Sequence, residues 1–381
     1  MNQSTQVKYS LYLMVLLCAC RPPAKKTMLQ KGPHLNFIGQ YVVPHNMVFQ
    51  NTTIGGLSGI DYDSISHLYY LISDDRSSIN PARFYTARIH FSSTGIDSVS
   101  FVSVHPLLQP SGLPYPDSKT DPRRVPDPEG IRYNPVRNEL VWTSEGERIV
   151  RQGSTILEDP SIICISTDGK YKDSFQLPGN MHMHPVERGP RQNGVFEGLS
   201  FADNFTSLYV NVEEPLYEDG PRAGLRDSTG LIRIIKFETM SRKPVAQYAY
   251  TIEPVAFPAS PPESFKINGV PDILSVGDNR MLVVERSFST GRKPCTIKVF
   301  LADLSAATDV KGIPSLRSDH GWHPISKRLL LDMDALGIYT DNIEGVTFGP
   351  RLPNGHQTLI FVADNNFSAE EVTQFLLFEL N

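Results

Sequence analysis

Cysteine is scarce in this chain, four residues in 381, so a framework of disulfides cannot be what holds it together. Neither Cys-x-x-Cys nor His-Glu-x-x-His occurs, which removes the common zinc frameworks. His182 and His184 flank Met183 in a polar loop and read as surface residues. Gly-x-Ser-x-Gly and phosphate-cradling glycine loops are also missing, which weakens acyl-serine and nucleotide-binding readings. The stretch Gly56-Leu57-Ser58-Gly59 lacks the strand-to-helix setting that a nucleophile elbow needs. Basic residues are not in excess, 36 against 41 acidic for a net charge of −5, and they form no runs, so nucleic acid is not an expected partner. Beyond the first twenty residues no stretch approaches the ~18 apolar residues of a membrane-spanning helix.

Glycine (27) and proline (30) are plentiful, as many short strands joined by turns require. The first twenty residues stand apart. Lys8 precedes the apolar run Tyr9 to Leu17, followed by Cys18-Ala19-Cys20. This resembles a bacterial lipoprotein signal, with residues 1–19 removed, Cys20 lipidated and residues 20–34 serving as a tether. A plain secretory signal or an uncleaved anchor is the alternative. In the lipoprotein case the folded part keeps only Cys164 and Cys295, which fall in different repeats and are not expected to pair.

The dominant feature is self-similarity. A carboxylate, a glycine and an apolar run are followed by a turn and a second apolar run ending in acid, as in Phe196-Glu197-Gly198-Leu199 with Asn211-Val212-Glu213. The pattern recurs as Leu57-Ser58-Gly59-Ile60 with Ser73-Asp74, and as Pro128-Glu129-Gly130-Ile131 with Ser144-Glu145. It returns as Pro271-Asp272-Ile273 with Val284-Glu285, and as Ile343-Glu344-Gly345-Val346 with Ala363-Asp364. The positions after the first acid, or after the serine replacing it, are 59, 130, 198, 273 and 345, at steps of 71, 68, 75 and 72.

Four short strands can be read in nearly every repeat, whereas the fifth stops one strand short. The run Leu35 to Val43, ahead of the first repeat, reads as the missing partner. Four-stranded units repeated about an axis predict an all-β propeller over residues 35–381, with five blades and the ring closed by the N-terminal strand. A sixth blade hidden in a long insertion is the alternative, and helices are nearly absent either way.

If the first strand of each blade lines a central channel, equivalent residues converge there. The first-strand position would hold Ser58, Glu129, Glu197, Asp272 and Glu344, and the second Asp74, Glu145, Glu213, Glu285 and Asp364. So many like charges need compensation. Ca²⁺ takes ~6–8 oxygen ligands and suits such a ring, so it is the expected cofactor. Arg76, Arg132, Arg148 and Arg286 lie within three residues of these acids and could pair with them or grip an anionic substrate. Hydrogen bonds from the acids to neighbouring blades are the purely structural reading of the same repetition.

The motifs Gly55-Gly56-Leu57-Ser58-Gly59-Ile60-Asp61, Asp127-Pro128-Glu129-Gly130, Phe196-Glu197-Gly198-Leu199, Val284-Glu285-Arg286-Ser287 and Asn342-Ile343-Glu344-Gly345 resemble, in order, those of the phytase-like, or "esterase-like activity of phytase", family over about residues 37 to 381. The resemblance implies a secreted or lipid-anchored bacterial protein that hydrolyses phosphoesters or phosphodiesters. For such a reaction the expected catalytic residues are Glu129, Glu197 and Glu344, with Arg132 or Arg286 stabilising the developing oxyanion. The expected metal ligands are Glu129, Glu197, Glu213, Asp272, Glu285, Glu344, Asp74, Glu145 and Asp364. The expected partners are a small anionic substrate and, through Cys20, a membrane. A non-enzymatic surface lipoprotein binding a sugar, phosphate or protein is the other reading.

Overall fold

A computed structural model describes residues 33–226 and 230–381, and the leader and Cys20 lie outside the described residues. Five four-stranded antiparallel sheets make up the molecule, as the repeat predicts. Their first strands are Leu57–Asp63, Pro128–Asn134, Phe196–Ala202, Lys266–Gly277 and Asn342–Phe348. Each of these touches the next in turn, and the last touches the first, so they form the closed inner ring of a five-bladed β-propeller. Among the described residues helix is confined to two short 3₁₀ turns, Gly179–Met181 and Met333–Leu336.

The packing explains why the second strands read as continuous apolar runs. In Leu68–Ser73, Tyr69 and Leu71 face an apolar cluster shared with the fifth blade, while Tyr70 and Ile72 face one shared with the second. The same alternation places Leu208 and Val210 against blade two and Tyr209 against blade four, and it places Leu359 and Phe361 against blade four and Ile360 and Val362 against blade one. Five such clusters fill the five gaps between blades. A strand buried on both faces has no polar side to alternate with.

Closure falls to the N-terminal strand, Leu35–Val42, which pairs antiparallel with Gln374–Leu380 as the outer strand of blade five, Leu35 opposite Leu380 and Tyr41 opposite Phe375. The pairing starts one residue earlier than the expected domain boundary, because His34 and Asn381 exchange both backbone hydrogen bonds. A polar hairpin, Glu147–Arg151 with Ser154–Glu158, interrupts blade two and was not expected.

The register of blade four corrects the sequence alignment by one residue. Ile60, Ile131, Leu199 and Val346 stand opposite Leu71, Trp142, Val210 and Phe361, and the matching pair in blade four is Ile273 opposite Val283. Counting back from Ile273, the place of the first acid belongs to Pro271, and Asp272 stands where the other blades have glycine. On the second strand the place of the acid belongs to Arg286, not Glu285. Alternation in a strand then turns Asp272 and Glu285 away from the ring of acids.

Candidate functional site

The site forms where the first strands begin and the second strands end. The first strands come so close there that a side chain cannot fit between them: a Cβ on Gly59 would lie 2.7 Å from the Glu129 carbonyl oxygen, and one on Gly130 2.6 Å from that of Glu197. Ser58 Oγ donates to Glu129 O at 2.8 Å and Thr143 Oγ1 to Glu197 O at 2.6 Å, stitching each blade to the next. The residue before each glycine is thereby aimed into the channel mouth.

Asp74, Glu129, Glu145, Glu197, Glu213 and Glu344 line one cavity of about 730 Å³, and Arg286 lines it with them. Asp364 is buried beside Asp74 and Glu344, and its Oδ2 has no hydrogen-bond partner. Ser58 is turned to the blade interface and adds no charge. Seven of the nine expected acids thus converge, and a guanidinium occupies the place of another.

Their neighbours differ. Glu145 Oε1 accepts from the amides of Gly194 at 2.6 Å and Val195 at 2.5 Å, which fixes its carboxylate. Glu213 accepts from Arg286 Nη2 at 2.6 Å, and Glu344 Oε1 lies 3.7 Å from the same nitrogen. Glu344 also accepts from Asn342 Nδ2 at 2.8 Å. The side chains of Glu129 and Glu197 accept no hydrogen bond from any described residue, although they are only 8% and 7% exposed. Asp127, an acid the repeat does not single out, stands beside Glu129 and is held by Arg76 at 3.2 Å. Its sequence signal was its place two residues before Glu129.

Burial and mutual repulsion push these carboxyls up. Burial, then Glu197 and Asp127, holds Glu129 well above the carboxylate range, and burial with Glu145, Glu213 and Glu344 does the same to Glu197. Asp74 is likewise raised well above it by burial and then by Glu344, and Asp364 by burial and then by Asp74. Burial, Asp127 and Glu213 bring Glu145 to about 8, and burial, offset by Arg286, brings Glu344 to about 7. Arg286 gains from the same crowd: burial opposes its charge, but Glu213 and Glu344 outweigh burial and raise its pKa.

These buried carboxylate clusters could hold a metal. One oxygen each from Asp127, Glu129 and Glu145 lie within 4.8 Å of one another, as do oxygens of Glu145, Glu197 and Glu213. The donors are hard oxygens with no histidine among the lining residues, which suits Ca²⁺ or Mg²⁺ rather than zinc.

The remaining expected residues lie elsewhere. Arg132 donates through Nη2 to both oxygens of Asp272 at 2.9 and 2.8 Å, deeper in the channel than the acids. It lines the cavity of the opposite mouth, about 560 Å³, among Asp61, Tyr62, Tyr133, Phe201 and Phe348. Burial, offset by Arg132, brings Asp272 to about 6. Glu285 instead accepts from Tyr250 Oη at 2.8 Å, Lys327 Nζ at 2.7 Å and Asn268 Nδ2 at 2.9 Å, outside the cavity. Arg148 is tied to the His184 carbonyl and lies over the Tyr217 ring. His182 is exposed and paired with Asp159. Cys164 and Cys295 are both free, and Cys295 sits in the cavity wall with burial pushing its thiol up to about 11.

Residues 52–367 match the family described as Phytase-like, "Esterase-like activity of phytase". No curated protein matches the chain. Among solved structures, a gluconolactonase from Xanthomonas campestris is 10% identical, with 84% of this chain and 71% of that one covered and a TM-score of 0.35. An endo-1,4-β-xylanase from Bacteroides thetaiotaomicron is 9% identical over 90% of each chain, with a TM-score of 0.42. An α-L-arabinofuranosidase from Lactobacillus brevis is 10% identical over 86% of this chain and 91% of that one, with a TM-score of 0.43. Nothing about activity follows from these three likenesses.

Proposed function

The chain belongs to the phytase-like family, and from that footing we propose that it is a cation-dependent hydrolase of phosphomonoesters or phosphodiesters. The observation that carries this reading is a pocket at the channel mouth in which carboxylates from four blades meet and two of them, Glu129 and Glu197, have no hydrogen-bond partner among the described residues. Such a pocket repels an anionic substrate unless cations occupy it, and phosphate oxygens are natural completing ligands for Ca²⁺. A bound divalent ion supplies Lewis acidity and lowers the pKa of a water it holds. Glu129, Glu145, Glu197 and Glu213 are the residues that would hold it.

The chain's own groups have separate tasks. Arg286, pinned by Glu213, offers its remaining N–H groups to a phosphoryl oxygen, where charge develops in the transition state. Glu344 lies outside both triads and, at about 7, keeps a proton near neutrality that its carboxyl can give to the leaving-group oxygen. Glycines that hold the first strands together keep this array rigid before substrate arrives. Lipid attachment at Cys20 would present the domain on the outer side of a bacterial membrane, in the cell envelope.

The test is turnover of a panel of phosphomonoesters and phosphodiesters by protein stripped of metal and reloaded with Ca²⁺. Ca²⁺-dependent hydrolysis is expected, and Glu344→Gln should lower kcat by about 10²-fold or more with the fold intact. No turnover on any substrate in the loaded protein would overturn the reading. A ligand that raises Tm without product would instead mark a binding module.

A further inference from the structure

With its carboxyls fully ionised, as ligands to a metal must be, the pocket carries more charge than one ion can balance. Asp74, Glu129, Glu145, Glu197, Glu213, Glu344 and Asp364 bring seven negative charges when ionised, and Arg286 returns one, leaving −6. Asp127 shares the Arg76 guanidinium with Glu147, at 3.2 and 3.0 Å, so that group adds further negative charge rather than relieving it. A single divalent cation leaves −4, and two leave −2.

The geometry divides the oxygens into two groups rather than one. Asp127, Glu129 and Glu145 form the first triad and Glu145, Glu197 and Glu213 the second, each within 4.8 Å, so Glu145 is common to both. Each triad contains one glutamate, Glu129 at 8% exposure in the first and Glu197 at 7% in the second, whose side chain faces the cavity and accepts no hydrogen bond from a described residue. The oxygens of both open onto the cavity, where a ligand can take the place of the missing partner, once per triad. The shared residue is the one with the firmest support. Glu145 Oε1 is gripped by the Gly194 and Val195 amides, which fixes the carboxylate that the two triads share.

We infer that the pocket is a two-cation centre in which Glu145 bridges the ions, one held with Asp127 and Glu129 and the other with Glu197 and Glu213. The inference deepens the hydrolase reading and rests on the same site. Two ions close enough to share a carboxylate clamp both the attacking and the leaving oxygen of an in-line phosphoryl displacement. The asymmetry of the triads also gives the ions different surroundings. Arg76 lies against the first through Asp127, and Arg286 against the second through Glu213. A cation beside a guanidinium is repelled in either place, so neither triad can be discounted as the weaker by charge alone.

Equilibrium stoichiometry, read without substrate, tests this. Full-length protein stripped with chelator is titrated with Ca²⁺ by calorimetry, and bound metal is counted by mass spectrometry after gel filtration, with circular dichroism checking each variant. Wild type is expected to bind two Ca²⁺ per chain, Glu129→Gln one and Glu213→Gln one, while Glu145→Gln weakens both by tenfold or more. One equivalent in wild type, or Glu129→Gln and Glu213→Gln each retaining two, overturns the inference. Should Glu145→Gln fail to fold, wild type and the two single variants still decide it. One ion with turnover would leave the hydrolase reading standing without its bridge, whereas two ions without turnover would do the reverse.

Discussion

Arg132 is the residue on which the inner ring converges. Its Nη1 donates to the carbonyls of Ile60 at 2.7 Å and Ile131 at 2.9 Å, and its Nη2 to Asp272 and, at 3.2 Å each, to the carbonyls of Ile273 and Val346. One guanidinium thus ties the first strands of blades one, two, four and five. Asp272 completes the tie by accepting from the Val346 amide at 2.8 Å. Removing one partner of a buried pair leaves the other charged and unpaired, which costs about 3–5 kcal/mol. Arg132→Met should lower the urea midpoint accordingly, and Asp272→Asn in the same chain should recover part of the loss, a coupling a double-mutant cycle measures. Lysine should not substitute, since a point charge cannot reach four strands as the planar fork does. Equal midpoints for wild type and Arg132→Met would show that the ring closes without this tie. Asp272 was legible in the sequence as an acid, but its task was not. Only strand register reveals that it has slipped into the glycine place and faces a different partner.

At the scale of the strand, the glycine after each ring acid is what allows the first strands to meet. Placing a methyl at Gly130 would drive it to 2.4 Å from Leu199 Cδ2 and 2.6 Å from the Glu197 carbonyl, so Gly130→Ala should destabilise by about 1–3 kcal/mol. Gly312, with no neighbour in reach, should accept alanine within about 0.5 kcal/mol. Comparing the two by thermal unfolding separates close approach from the general effect of replacing glycine. The same constraint made the repeat visible: where strands must touch, glycine is fixed, and where a strand is buried on both faces its residues are apolar throughout. At Gly345 a Cβ would lie 2.9 Å from Val362 Cγ1 and 3.1 Å from the Ile60 amide nitrogen, whereas blade four meets the requirement differently, with Pro271-Asp272. The hairpin Glu147–Arg151 with Ser154–Glu158 leaves little trace in the sequence pattern because it packs little and is mostly polar. Its signal was the Gln152-Gly153 turn, with Gly153 at φ +80°, between runs carrying Ile149 and Ile156.

For the molecule as a whole, the ring of acids is a load on the fold that a bound cation would relieve. Glu145 at about 8 and Glu344 at about 7 lie above the ordinary carboxyl value of 4.5, so the folded chain keeps protons that the unfolded chain has released. The stability those protons contribute is fully present below pH 4.5 and is lost as pH rises through 7 and 8. In chelator, Tm should therefore fall between about pH 5 and pH 8. Ca²⁺ bound there would replace the protons, so its binding should tighten with rising pH over the same interval. Saturating a site at a hundredfold excess over Kd adds about 2.7 kcal/mol, and two sites about twice that. Calorimetric scans at pH 5.5 and 8.5, with chelator and with Ca²⁺, should show a larger Ca²⁺-induced rise at the higher pH. A rise equal at both, or a chelator Tm that climbs with pH, would mean that the acids are balanced by hydrogen bonds within the protein and do not require a cation.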